Sequence, residues 1–323
     1  MEGYKMIELS VICPTLNEWP QIAFTIRSVY EELRDRVDFE IILVDNSFCK
    51  EVEEQGRKPD RTFEYFQSMS KGWSWLKVMK YEEKMSHWNA KRVGVLASQG
   101  KFIWFVDAHV IISRDALYKQ FCYYRDHYME LDGVLHLPVT YHIMEYHKLM
   151  YKLVTNLPEG QVHYSFTPYR DSGNGKPFRV PCMTTDGMMI TRELYDYMGG
   201  IPSEMGIWGG GENFINFTLA VLGKNVWIMP GNSLNHHGDK RGYAYNYDDL
   251  YRNRAIASFI YGGEDLVRVF TNHYKGSQEH LHRLMRDIIK KCADHRELVV
   301  SRQVKTIQEW IKGWEGKVMQ EAG

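Results

Sequence analysis

Phe102-Ile103-Trp104-Phe105-Val106-Asp107-Ala108-His109 is five apolar residues running into a carboxylate and, two positions later, an imidazole. A short apolar run set off by Gly100 reads as a strand covered on both faces, as strands of parallel sheets are. Side chains two apart on extended chain project to the same side, so Asp107 and His109 converge where that strand ends. Oxygen and nitrogen donors without a thiolate suit a divalent ion such as Mn²⁺ or Mg²⁺, with positions left for diphosphate oxygens. Taken alone, the tripeptide is better served by a plainer reading, in which Asp107 caps the next turn and His109 is an ordinary histidine.

The flanking sequence supplies the context. Ile7 to Cys13 reads as a strand, followed by the turn Pro14-Thr15-Leu16-Asn17-Glu18 and an amphipathic helix with Ile22, Ile26, Val29 and Leu33 on one face. Phe39 to Val44 is an apolar run ending at Asp45, and Leu76 to Met79 is a further strand. Ser86 to Ser98 carries Trp88, Val93, Leu96 and Ala97 at helical spacing. This alternation predicts an α/β fold with a mostly parallel central sheet flanked by helices, in which ligands bind beyond the carboxyl ends of the strands. Asp45 and Asp107 both stand at such ends.

Farther on, residues 153–181 are polar and rich in Tyr, Gly and Pro and read as a long loop. A Gly-rich turn, Trp208-Gly209-Gly210-Gly211-Glu212-Asn213, opens a helix with Phe214, Phe217, Val221 and Leu222 facing inward, and Val226 to Met229 leads as a strand to His236-His237. From residue 268 the pattern is helical, with Val304, Ile307, Trp310, Ile311 and Trp314 as an apolar stripe. The expected organisation is an α/β domain over residues 1–267 and a helical extension over 268–323.

The 44% hydrophobic and 25% charged residues among 323 exclude a disordered chain, and a net charge of −1 excludes a global field that would recruit nucleic acid or anionic membrane. Cys13, Cys49, Cys122, Cys182 and Cys292 are odd in number and form no CxxC pair, which argues against a disulfide framework or a structural zinc and fits the reducing cytoplasm. No uncharged run approaches the roughly 18 residues of a membrane span, so neither secretion nor anchoring is expected.

His236 is available as a third metal ligand, although on extended chain only one of His236 and His237 can point into a site. Glu212 and Asn213, behind three glycines at a helix N-terminus, allow close backbone approach to a ligand and a carboxylate for sugar hydroxyls. The first strand is followed by neither a P-loop nor GxGxxG, and no GxSxG elbow is present, which removes support from ATPase, dehydrogenase and α/β-hydrolase readings.

In chain order these elements resemble glycosyltransferases of the GT-A fold. Ser10 through Glu18 and Ile41 through Ser47 resemble the first two strands of family 2 enzymes. Asn89-Ala90-Lys91-Arg92-Val93-Gly94, Phe105 through His109, Gly206 through Asn213 and Pro230 through His236 are together similar to polypeptide N-acetylgalactosaminyltransferases. The resemblance covers about residues 7–240. It implies that Asp107, His109 and His236 hold Mn²⁺ against the diphosphate of a UDP-sugar. It further implies that Thr15, Glu18 and Asp45 line the nucleoside pocket with Lys91 near it, that Asp186 and Gly187 pass the donor sugar, and that Trp208, Glu212 and Asn213 face sugar and acceptor.

The chain departs from that pattern by one extra Gly in the turn and by Asn89 and Lys91 where arginines are usual. Asn213 stands where inverting relatives carry an Asp and is a poor base, which favours retention of anomeric configuration, with Asp171 or Asp186 as other sources of a base. The acceptor is a hydroxyl-bearing polymer, whether polypeptide Ser/Thr, a glycan or hydroxymethylpyrimidine DNA. For DNA, the C-terminal segment offers Arg283, Arg286, Lys290 and Lys291 interleaved with His273, Tyr274, His280, His282, Trp310 and Trp314, although a solvated helical cap is the more ordinary use of such a segment. Two readings of other classes are a non-catalytic nucleotide-sugar or nucleic-acid binding module and a sugar nucleotidyltransferase.

Overall fold

The computed structural model describes residues 6–141, 147–159, 161–171, 173–237, 243–245, 247–273 and 278–320. The strands are β1 (Leu9–Thr15), β2 (Phe39–Asp45), β3 (Leu76–Lys80), β4 (Phe102–Phe105), β5 (Val110–Ile112), β6 (Gly133–His136), β7 (Val139–Tyr141), β8 (Leu149–Asn156), β9 (Gln161–Pro168), β10 (Phe178–Val180), β11 (Met189–Thr191), β12 (Asn225–Ile228) and β13 (Leu234–His236). The helices are α1 (Gln21–Leu33), α2 (Lys50–Glu54), α3 (Thr62–Ser70), α4 (His87–Ala97), α5 (Ala116–Leu131), α6 (Arg192–Tyr197), α7 (Gly211–Val221), α8 (Tyr247–His273), α9 (Gln278–Arg302) and α10 (Ile307–Trp314).

The large sheet runs β10-β12-β6-β11-β4-β1-β2-β3. β3, β2, β1 and β4 are parallel, as are β6 and β12, whereas β11 runs antiparallel to both β4 and β6 and β10 antiparallel to β12. The sheet is thus mixed, because the chain re-enters it through β11 after a long excursion on one side. Every residue of β1 is buried. On α1, Ile22, Ile26, Val29 and Leu33 face the core as their spacing predicts. A smaller sheet, β5-β13-β7-β8-β9, stands beyond the carboxyl end of β4.

Three expectations need correction. Residues 153–181 are not one long loop: β8 and β9 pair along eight residues each as an antiparallel hairpin. Its strands expose polar and aromatic residues together, which hides the alternation that marks a strand. Helix begins at Tyr247 rather than near 268, so the expected boundary at 267/268 falls inside α8; Gly262-Gly263 disguises its continuity, and the backbone does leave helical geometry at Gly263. Ile260, Ile288, Val299 and Trp310 share one hydrophobic cluster with Phe214 and Phe217 of α7. Of the apolar stripe, Val304 precedes α10 and is exposed, while Ile307, Trp310, Ile311 and Trp314 are buried. Tyr274 and the side chains of His273, His280, His282 and Arg283 lie outside the described residues.

Gly187 lets β11 approach β13. Its φ is +79°, and a Cβ there would lie 2.3 Å from Leu234 Cδ1, a buried side chain on the strand that carries His236. Gly187→Ala should therefore cost about 2 kcal/mol of unfolding free energy, the sum of left-handed strain and overpacking. Urea unfolding checks this; a change below about 0.5 kcal/mol would show that β13 yields freely.

Candidate active site

The parallel strands β1, β2 and β4 end side by side, so Thr15, Asp45 and Asp107 are neighbours in space although far apart in sequence. The turn after β1 carries Glu18, and the chain after β4 carries His109 into β5. β5 pairs with β13, opposite whose end, His236, stands Val110. This pairing brings the later histidine to Asp107.

Asp107, His109 and His236 each offer a ligand atom, and these atoms lie within 4.8 Å of one another. His109 Nε2 is 3.2 Å from His236 Nε2, and His236 Nε2 is 3.6 Å from Asp107 Oδ2. The other nitrogen of His109 lies 3.3 Å from Glu18 Oε2, a buried carboxylate that fixes the ring with Nε2 toward the cluster. Of the adjacent pair, His236 has its ring in the cluster, while His237 donates its backbone N–H to the His109 carbonyl. One carboxylate oxygen and two imidazole nitrogens could hold a divalent metal ion.

Lys91, on α4, is wholly buried, with Nζ 3.1 Å from Asp107 Oδ1. It also donates to Thr185 Oγ1 at 2.9 Å; Thr185 donates to Glu212 Oε1 at 3.4 Å, and the Tyr164 hydroxyl donates to Glu212 Oε2 at 3.1 Å. Lys91 thus stands beneath Asp107 and is absent from the wall of the cleft beside it, because its long side chain is drawn inward by the Asp107 carboxylate and the Thr185 hydroxyl. Asp186 accepts the Asp107 backbone N–H at 3.0 Å, and its Oδ2 is buried without a hydrogen-bond partner.

The acids differ in charge state. Burial would raise the Asp107 carboxyl, but Lys91, His87 and His236 hold it well below the ordinary range. Burial, then repulsion from Asp107, pushes Asp186 up to about 6. Burial raises Asp45 to about 6 against a hydrogen bond from Ser47, and burial raises Glu212. Burial works against protonation of His109, but its bond to Glu18 raises it overall.

An open cleft of about 430 Å³ borders the cluster and includes Thr15, Glu18, Asp107 and His109 in its wall. Asn46, His87, Ile207 and Tyr243 also line it and were not anticipated from sequence. Asn46 follows Asp45 and His87 opens α4, so both sit at carboxyl-end positions that a sheet argument could have named. Asp45 is buried behind Asn46, with Oδ1 accepting the Ser47 N–H and Oδ2 unpartnered; Thr15 Oγ1 is buried and unpartnered too.

The Gly-rich turn takes left-handed backbone at Gly209 and Gly210, where a Cβ on Gly210 would lie 2.9 Å from the Arg254 nitrogen. Trp88 Nε1 donates to the Gly209 carbonyl and locks this turn to α4. Trp208 packs against Tyr245, ring centroids 4.4 Å apart. Asn213 is buried and donates to the Val162 carbonyl of β9, so it holds the hairpin, and neither it nor Glu212 lines the cleft.

Residues 10–199 match the description of glycosyl transferase family 2. Polypeptide N-acetylgalactosaminyltransferase 5 of Caenorhabditis elegans is 24% identical over 72% of this chain and 37% of its own length. The human polypeptide N-acetylgalactosaminyltransferase 3 is 24% identical over 80% and 39%. An inactive polypeptide N-acetylgalactosaminyltransferase-like protein 5 of Macaca fascicularis is 22% identical over 82% and 57%. The chain thus spans between about a third and three fifths of the length of these relatives. The crystal structure of GalNAc-T7 with UDP, GalNAc and Mn²⁺ superposes with a TM-score of 0.70 at 16% identity, over 96% of this chain and 56% of that one. That of S. aureus TarS 1-349 in complex with UDP-GlcNAc gives 0.51 at 14% identity, over 96% and 80%. With the matched segment extending over more than half of its residues, this chain belongs to glycosyl transferase family 2.

Proposed function

We propose that the protein is a metal-dependent glycosyltransferase that moves a sugar from a UDP-sugar to a hydroxyl acceptor with retention of anomeric configuration. The observation that carries the reading is the cluster of Asp107, His109 and His236 at the carboxyl ends of a family 2 sheet. Its mixed oxygen and nitrogen donors, with no thiolate, fit Mn²⁺ or Mg²⁺. A bound ion would supply positive charge against the leaving diphosphate.

The chain's own residues would do the remaining work. Thr15 Oγ1, in the cleft wall and buried without a partner, offers a hydrogen bond to a nucleoside, while Asp45, which has no exposure and does not line the cleft, would order the Asn46–Ser47 turn beside it by accepting the Ser47 N–H. UDP and UDP-GlcNAc in the two similar structures support a uridine nucleotide. Glu212, held by Tyr164 and Thr185, would accept from a sugar hydroxyl, with Asp186 and Gly187 beside the donor sugar and Trp208 at the rim toward the acceptor.

Retention is supported because Asn213 cannot act as a base and Asp171 is exposed in its own turn, accepting from Tyr169 and Gly173; Asp186, buried with Oδ2 unpartnered, is the acid that could still serve an inverting reaction, and the anomer of the product decides between the two courses. The polypeptide-modifying relatives favour Ser/Thr hydroxyls, with glycans and hydroxymethylpyrimidine DNA as alternatives that a common assay separates. All five cysteines are free thiols. Among the described residues no helix is long and apolar enough to cross a membrane.

Incubation with UDP-sugars, Mn²⁺ and a panel of Ser/Thr peptides, glycans and hydroxymethylated DNA, read by mass shift, tests the proposal. One acceptor class should gain a hexose or N-acetylhexosamine. Binding of UDP-sugar with no UDP released from any acceptor would make the protein a binding module instead. Asp107→Asn should lower turnover by at least about 100-fold, as chelation should, since each would remove the ion whose positive charge the leaving group needs. Full activity in that variant would defeat the site.

Asp45 gives a pH test. Its folded pKa, about 6, exceeds the ordinary carboxylate value. Between pH 4 and 6 the folded protein retains a proton that the unfolded chain has lost, so stability from this group is full below pH 4 and declines as pH rises to about 6. Asp45→Asn should therefore gain roughly 2 kcal/mol relative to the parent on going from pH 4.5 to 7.5. Urea unfolding at the two pH values measures it, and parallel pH profiles would contradict it.

A further inference from the structure

We infer that Lys91 sets how the metal-binding carboxylate is presented: as a fixed internal cation it occupies Asp107 Oδ1, leaves Oδ2 alone for the metal, and keeps the ion weakly held until a diphosphate joins it. The inference rests on the metal site proposed above. Lys91 has no exposure to solvent and does not line the cleft, so it cannot reach a nucleotide directly. Its Nζ is 3.1 Å from Asp107 Oδ1 and 2.9 Å from Thr185 Oγ1, and it lies 5.2 Å from the centroid of the Trp88 ring. A buried ammonium needs such partners, because burying it unpaired is costly.

The two oxygens of Asp107 are thereby divided. Oδ1 faces Lys91, with His87 Nε2 at 3.6 Å, while Oδ2 faces His236 Nε2 at 3.6 Å. A metal among Asp107, His109 and His236 would approach one oxygen of a carboxylate already neutralised from behind. Of the other acids, Glu18 is engaged with His109, Glu212 with Thr185 and Tyr164, and Asp186 through Oδ1 with the Asp107 N–H, its Oδ2 being buried without a partner. Repulsion between an ammonium and a divalent ion a few ångströms apart is weakly screened in a buried setting. A nucleoside diphosphate brings the negative charge that offsets both cations, so metal and donor should bind as a pair. This role differs from that of a nucleotide contact, and it gives Lys91 a positioning function acting through Asp107.

Calorimetric titration of Mn²⁺ into metal-free protein, with and without UDP, tests the inference on binding alone. For the parent protein, UDP should tighten Mn²⁺ binding by at least about tenfold. K91Q should bind Mn²⁺ without UDP about tenfold more tightly than the parent and lose most of the UDP enhancement, whereas K91R, which keeps the charge, should stay within about threefold. General damage to the fold would weaken binding, so tightening separates the electrostatic role from a structural one. K91M is the second neutral variant should K91Q fail to melt cooperatively. Equal or weaker Mn²⁺ binding by a folded neutral variant overturns the inference while leaving the metal site standing. A parent isotherm indistinguishable from that of Asp107→Asn overturns the metal site itself, and the inference with it.

Discussion

The carboxylate of Asp107 is pulled from two sides, and the cleft is organised around that division. Behind it is the ammonium of Lys91 on α4, and in front are the imidazoles of His109 and His236. Its backbone N–H is tied to Asp186, which leads into β11. Thus the end of one strand is fixed by a helix, by an antiparallel neighbour in the same sheet and by a strand of the second sheet. None of these contacts is local in sequence, so the site depends on the completed fold.

That dependence explains which parts were legible from the residues. Asp107 and His109 were readable because two positions on one extended segment suffice to bring them together. The first two strands and α1 were readable because their apolar spacing is unambiguous. His236 could be offered as a third ligand from its place after a strand but chosen over His237 only through resemblance to a family, since the β5–β13 pairing that delivers it has no signature in either short strand. The β8–β9 hairpin was hidden by aromatic and polar residues on one pair of strands, and Tyr164 was hidden with it. Lys91 was legible as a site residue but not in its role: spacing shows that it lies on α4, not that its side chain turns inward to meet Asp107.

The electrostatic pattern gives this arrangement physical meaning. Four acids lie close together, yet Asp107 alone has a buried ammonium at ion-pair distance, and it alone is held well below the ordinary carboxylate range. Asp186 is pushed up to about 6 and Glu212 is raised, each chiefly by burial. These acids are therefore not equivalent: the carboxylate most strongly held in its charged form is the one whose position is set by the end of β4.

The N-terminus of α7 shows a similar division between neighbouring side chains. Glu212 and Asn213 are adjacent, but a helix turns successive side chains by about 100°. Glu212 accordingly reaches Thr185 and Tyr164 beside the cleft, while Asn213 reaches across to the Val162 carbonyl. An acid at position 213 would face a carbonyl oxygen in a buried setting, where like partial charges repel and no donor compensates. The amide is therefore what the hairpin requires at this place. The absence of a base there follows from how β9 is held against α7, an element remote in sequence from Asp107 and His109.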